Sequence, residues 1–102
     1  MMSNPTPLSI AAGVLASSTL ECVRRSPSYH HRGWQILDRW ALDSPEQLQR
    51  LEAEGEVILL GRLLEQQELE HQVLSSDAAL EQRHLGLVEH EILALNEVAT
   101  AL

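Results

Sequence analysis

The amino-acid sequence predicts an all-α fold built from four helices. Leu dominates the apolar positions, β-branched residues are few, and Phe is absent, with Tyr29, Trp34 and Trp40 the only aromatics. That composition favours helix over sheet. Three pairs, Thr6-Pro7, Ser26-Pro27 and Ser44-Pro45, then punctuate the chain. A Ser or Thr at the N-cap accepts a hydrogen bond from the first helical turn. Proline suits the next position, because its φ is already helical and its missing N–H has no partner there. The residue before it is pushed out of the helical region, as a cap requires. Ser75-Ser76-Asp77 adds a fourth break with cap residues but no proline. These marks predict helices over about 7–25, 27–43, 45–75 and 77–101 in a single domain, with residues 1–6 disordered.

The first predicted helix is weak. Leu8, Ala12, Leu15, Thr19 and Cys22/Val23 share a face, but Gly13 and Ser17-Ser18-Thr19 lower its propensity. In the second, Trp34, Leu37 and Trp40/Ala41 recur at helical spacing. Its polar start, from Ser28 to Gly33, is consistent with a loop and a helix beginning near Trp34. The Trp pair fits a core, and an interface anchor is the competing role.

The third predicted helix opens on Ser44-Pro45-Glu46-Gln47, a capping box with Gln47 at the third position. Leu48, Leu51, Gly55, Leu59 and Leu63 begin its apolar stripe. Within it, Val57, Ile58, Leu59, Leu60, Leu63 and Leu64 make the helix apolar almost all round. Such a segment has to be covered on more than one side. Gly55 and Gly61 each cost roughly 1 kcal/mol in a helix relative to Ala, and a break near Gly55 is one consequence. A β-strand over 56–60 is the other reading of so short an apolar run.

The fourth has the most regular pattern, with Leu85, Val88, Ile92, Leu95, Ala99 and Leu102 at heptad spacing. Only two or three residues join it to the third, which predicts an antiparallel hairpin. A continuous third helix would be about 45 Å long, and a compact chain of this size has a radius of gyration near 13 Å. A second copy that completes a four-helix core, a homodimer, is the simplest way to cover that hairpin.

Charge and cysteine content narrow the function. The chain has 102 residues and a net charge of −8 with His neutral. Direct nucleic-acid binding needs clustered cations and is disfavoured. The imbalance is local. Residues 1–44 hold four Arg against three acids, a balance of +1, whereas residues 45–102 hold three Arg against twelve acids, a balance of −9. The acidic half suits a basic protein surface or a solvated helix face. Cys22 is the only cysteine, which excludes an intrachain disulfide and fits a reducing cytoplasm. The apolar run from Leu8 to Leu15 is not preceded by Lys or Arg, so it lacks the charged region of a signal peptide. No run approaches a membrane span.

One pattern carries potential chemistry. Glu68-x-x-His71 and Glu81-x-x-His84 each place a carboxylate and an imidazole on one helix face. They are mirror-placed about Ser76, so a hairpin would set Glu68 level with His84 and His71 level with Glu81. Paired motifs of this kind supply the metal ligands of di-iron bundles. Twelve Glu and five His in helices also produce such spacings readily, beside Gln66, Gln67, Gln72 and Gln82 that read as wet surface. His30-His31 reads as surface, and Cys22 has no base or second Cys beside it. There is no phosphate loop, nucleophile elbow or zinc-finger spacing.

The sequence is therefore read as a small, acidic, non-enzymatic helical protein without cofactor or metal. Its most concrete expected role is an anti-activator or adaptor that sequesters a regulatory protein, such as a transcriptional regulator, while itself dimeric. Trp34, Trp40, Val57, Ile58, Leu60, Leu63 and Leu64 are the expected partner or dimer contacts. A ferritin-like metal-binding bundle using Glu68, His71, Glu81 and His84 is the first alternative. A structural subunit of a larger complex is the second.

Overall fold

The computed structural model describes residues 8–102. Among these residues every regular element is helical. A 3-10 turn at Ala11–Gly13 precedes α1 (Ser17–Arg25), α2 (His31–Asp43), α3 (Pro45–Glu54), α4 (Glu56–Leu74), α5 (Asp77–His84) and α6 (Glu89–Leu95). No helix of the described residues is long and apolar enough to cross a membrane. The Thr6-Pro7 cap and the disorder expected for residues 1–6 lie outside the described residues.

α4 is the hub. α2 and α3 pack on one side of it, α5 and α6 pack against it further along the chain, and the 3-10 turn rests on α2 and α1. Leu59 and Leu63 of α4 meet Trp40, Ile36 and Leu37 of α2 and Leu48 of α3 in the main core. Each such burial contributes roughly 1.5–3 kcal/mol. A second, smaller cluster joins Leu74 of α4 to Ala79 of α5 and to Ile92 and Leu93 of α6.

The expected helix over 7–25 is a 3-10 turn followed by a shorter helix. Its break is stabilised by side chains far along the chain. The Asp38 carboxylate accepts hydrogen bonds from Leu8 N at 2.8 Å and Ala11 N at 2.9 Å. Glu52 accepts from Ala16 N at 2.9 Å and from Thr19 Oγ1 at 2.7 Å, which caps the start of α1.

The expected start of a helix at Pro27 is also corrected. Ser26 ends α1, its N–H bonded to Cys22 O. Its hydroxyl accepts from Ser28 N at 3.2 Å, which turns the chain instead of starting a helix. α2 begins four residues later with His30 as its cap. Ser44 does sit at the N-cap of α3, with Pro45 in its first turn, but its side chain makes no capping bond and its N–H bonds Trp40 O, so the expected capping box does not form. Ser76 caps α5 as expected, accepting from Ala79 N at 3.2 Å.

The long third helix divides at Gly55, where φ is 147°. Only glycine adopts that backbone readily. α3 therefore folds back on α4 rather than extending it, and the strand reading of 56–60 gives way to the first turn of α4.

The expected continuous helix over 77–101 is two short ones. Gly86, at φ 93°, ends α5. Gly86 N bonds Arg83 O at 2.9 Å and Leu87 N bonds Gln82 O at 3.1 Å, the two bonds of a Schellman motif. α6 ends the same way. Glu97 N bonds Ala94 O and Val98 N bonds Leu93 O at 2.9 Å, with Glu97 at φ 60°. The heptad face is therefore buried only in part, at Ile92 and partly at Leu102. Leu85 is 80% exposed and Leu95 61%, whereas Ile92 and Leu93 are buried.

The two motifs differ in the residue at the left-handed position. Glu97→Gly removes a Cβ penalty of roughly 1 kcal/mol and should stabilise the fold by about that much. Gly86→Ala introduces the same penalty and should destabilise by about 1 kcal/mol. Urea denaturation midpoints at constant m check both signs.

Candidate functional site

The sequence-derived contact residues separate into three groups. Trp40 and Leu63 are fully buried in the main core, so neither is available to a partner. Trp34, Leu60 and Leu64 are half-buried and pack against that core. Trp34 Nε1 is buried without a hydrogen-bond partner among the described residues. Val57 and Ile58 alone face solvent, at 83% and 50% exposure. The apolar surplus read from the sequence is thus largely consumed inside the chain, because both α2 and α3 pack on α4.

What α4 leaves uncovered is a continuous outward face. At about 100° per residue, Val57, Gly61, Glu65, Glu68 and Gln72 share that face, flanked by Ile58 and Leu69. All seven are exposed. A Cβ added at Gly61 would meet nothing within 4 Å. The only Arg of α4, Arg62, turns inward. Its Nη1 donates to Gln66 Oε1 at 2.9 Å, and its guanidinium lies 5.1 Å from the centre of the Trp40 ring. The exposed face therefore combines three apolar side chains with two carboxylates and no Arg or Lys of its own helix.

Behind α4 lies a buried polar network that the sequence does not announce. Glu70 is 1% exposed. Its carboxylate receives Arg39 Nη1 at 3.3 Å and Nη2 at 2.5 Å, and Gln66 Nε2 at 2.7 Å. Arg39 Nε and Trp40 Nε1 both donate to Thr100 O, at 3.0 and 3.1 Å, and Gln66 Nε2 donates to Ala99 O at 2.8 Å. Beside them a cleft of about 350 Å³ opens between α2 and α6, lined by Arg32, Ile36, Arg39, Glu89, Leu93 and Thr100 among others. At its rim Glu89 accepts from Arg32 at 3.2 Å and Arg83 at 3.3 Å. The Arg32 hydrogen bond is the main cause that lowers the Glu89 carboxyl below its usual value; partial desolvation opposes it, and the charge of Arg32 and the contact with Arg83 reinforce it.

The Glu-x-x-His residues Glu68, His71, Glu81 and His84 are all exposed. Among the described residues, no three His, Cys, Asp or Glu side chains converge as metal ligands would. α5 ends at His84, so the long facing helices that a bundle site needs do not form. His30 and His31 also take separate positions. The His30 ring accepts from Arg32 N at 3.4 Å as a helix cap, and His31 is exposed. Cys22 is exposed. Hydrogen bonding to Glu56 raises its thiol above the usual value, with desolvation and the Glu56 charge adding to it. That keeps the weakly nucleophilic protonated form.

Arg39→Met would leave the Glu70 carboxylate buried without its cation, and should cost about 3 kcal/mol by urea denaturation. Glu70→Gln keeps an acceptor and no buried charge, and should cost clearly less. Glu89 gives a pH test. Its folded value is lowered from 4.5, so its contribution is complete above the unfolded value and is lost as pH falls through the lowered folded one. Glu89 is 47% exposed, which limits that contribution to about 1 kcal/mol or less. Glu89→Gln should therefore be slightly less stable than wild type at pH 7, with the gap closing below pH 4.5 and shrinking in high salt. No family model, curated protein or solved structure matches the chain.

Proposed function

We propose that the chain is a small non-enzymatic protein-binding module, acting as an anti-activator or adaptor on a basic regulatory protein in the cytoplasm. The observation that carries this reading is the outward face of α4. Val57 and Ile58 are large apolar side chains held out from a well-packed helix, and Leu69 continues the patch at 43% exposure. Apolar anchors of this kind carry most of the affinity of an interface. Gly61 at the centre of the face lets a partner backbone approach closely. Glu65 and Glu68 beside it complement Lys or Arg, which tunes association rate and excludes acidic surfaces. An amphipathic helix with a basic edge fits this surface by the helix-in-groove mode.

A homodimer through the same face is a weaker arrangement. A two-fold interface sets this patch against itself. The Glu65 and Glu68 carboxylates of both copies would then be desolvated, with no cation from either α4 to meet them. The dimer inferred from the sequence also rested on an apolar surplus that α2 and α3 now cover, leaving only Val57 and Ile58 of it well exposed.

Affinity capture from the native cell, identified by mass spectrometry, tests this reading. Wild-type protein should retain a basic, DNA-binding regulator. Ile58→Glu should lose it, with helical circular dichroism unchanged because Ile58 is half exposed. Leu85→Glu, exposed on another element, should retain it. Added to the regulator–DNA complex, the wild type should release the DNA without a ternary band in a gel shift. Equal retention by wild type and Ile58→Glu would remove the α4 face from consideration.

A further inference from the structure

We infer that Arg39, Trp40 and Gln66, with the cleft between α2 and α6 beside them, form a binding site for an extended peptide segment, and that the chain's own residues 99–102 lie on these donors and leave the cleft itself open. The segment after α6 is not helical. It is held chiefly through its backbone. Arg39 Nε and Trp40 Nε1 converge on Thr100 O, and Gln66 Nε2 meets Ala99 O. Leu102 packs against the main core, while Ala99 and Ala101 face solvent. Nothing in these contacts reads the side chains of 99–101.

The donors are positioned by the helices rather than by the segment. Arg39 is fixed by Glu70. Gln66 is fixed by Arg62 and Glu70. Trp40 is fixed by the core and by Arg62 over its ring. Trp40 and Gln66 are almost fully buried. Such a cradle meets only carbonyl oxygens, so another extended backbone of suitable length would restore the hydrogen bonds that departure of residues 99–102 breaks.

The fit of the resident segment is incomplete. Thr100 borders the cleft of about 350 Å³ and leaves it open. Ile36, Val88 and Leu93 give that space an apolar wall, with Arg32 and Glu89 at the rim. A competing segment with a larger apolar residue in place of Thr100 would make the same backbone bonds and also fill the cleft. The ligand class is therefore an extended segment of a partner protein, with one bulky apolar residue for the cleft and a second, two positions on, in place of Leu102. This site is separate from the outward face of α4 and does not depend on it.

The test uses the full chain and two dye-labelled synthetic peptides, read by fluorescence anisotropy. One peptide is residues 96–102; the other has Leu in place of Thr100. In wild-type protein the resident segment competes at an effective concentration of order millimolar. The full-length Leu102→Asp variant weakens that competitor, and should bind the 96–102 peptide at least tenfold more tightly than wild type does. The Leu-bearing peptide should bind the variant several-fold more tightly still. Adding Gln66→Ala to Leu102→Asp should weaken both peptides. Equal binding of the peptides by wild type and Leu102→Asp would overturn the inference. So would loss of helical circular dichroism in both Leu102→Asp and the milder Leu102→Ser, since the segment would then be part of the core rather than an occupant.

Discussion

Glu70 sits on the inner side of α4, and its carboxylate has to be satisfied from within the fold. An isolated charge there would cost several kcal/mol. Arg39 meets it with both terminal nitrogens, and Gln66 supplies a third donor. The geometry this imposes extends well beyond the pair. It fixes the register of α2 against α4, because Arg39 and Glu70 can meet in only one alignment. It places Arg39 Nε and the Trp40 indole side by side, and so determines where the segment after α6 returns. It also draws Arg62 inward, through Gln66 and the Trp40 ring, and so leaves the outer face of α4 without a cation.

The same logic, in which a distant side chain satisfies a backbone end, recurs across the molecule. Asp38 on α2 receives the N–H groups of Leu8 and Ala11 at the 3-10 turn, and Glu52 on α3 receives the Ala16 N–H and the Thr19 hydroxyl at the start of α1. Gln67 on α4 bridges the loop before α2, its Nε2 donating to Ser28 O at 2.9 Å and its Oε1 accepting from His30 N at 3.3 Å. Tyr29 reaches Leu60 O from the same loop at 2.5 Å. The helices here are short, and short helices are marginal alone. Caps supplied by another helix tie each one's formation to the packing of its neighbour. That couples the elements more tightly than the apolar contacts of two separate clusters would.

Inward use of polar groups leaves two surfaces of opposite character. One is the outer face of α4, where Val57, Ile58 and Leu69 stand among carboxylates. The other is the cleft by α2, where buried donors grip a backbone. The first suits a folded helix and the second an extended chain. The regulator contact proposed for the first would leave the second free for another segment.

The sequence by itself determined the helical class, the caps at Ser44 and Ser76, the susceptibility of the chain to a break near Gly55, and the apolar stripe through Leu59 and Leu63. Each of these is a local property, set by propensity, cap chemistry or periodicity within one turn or two. It misassigned the heptad over 85–102 because spacing alone cannot reveal that Gly86 closes a Schellman turn and re-aims the face beyond it. It misplaced the start at Pro27 because Ser-Pro opens turns as readily as helices. Tertiary structure alone decided which half of the all-round apolar segment stays exposed, since that depends on α3 folding back beneath α4 at Gly55. The burial of Glu70 and Gln67 was likewise illegible, because acids and amides in a helix read as solvated until partners such as Arg39, or the loop at Ser28, arrive from thirty or more residues away.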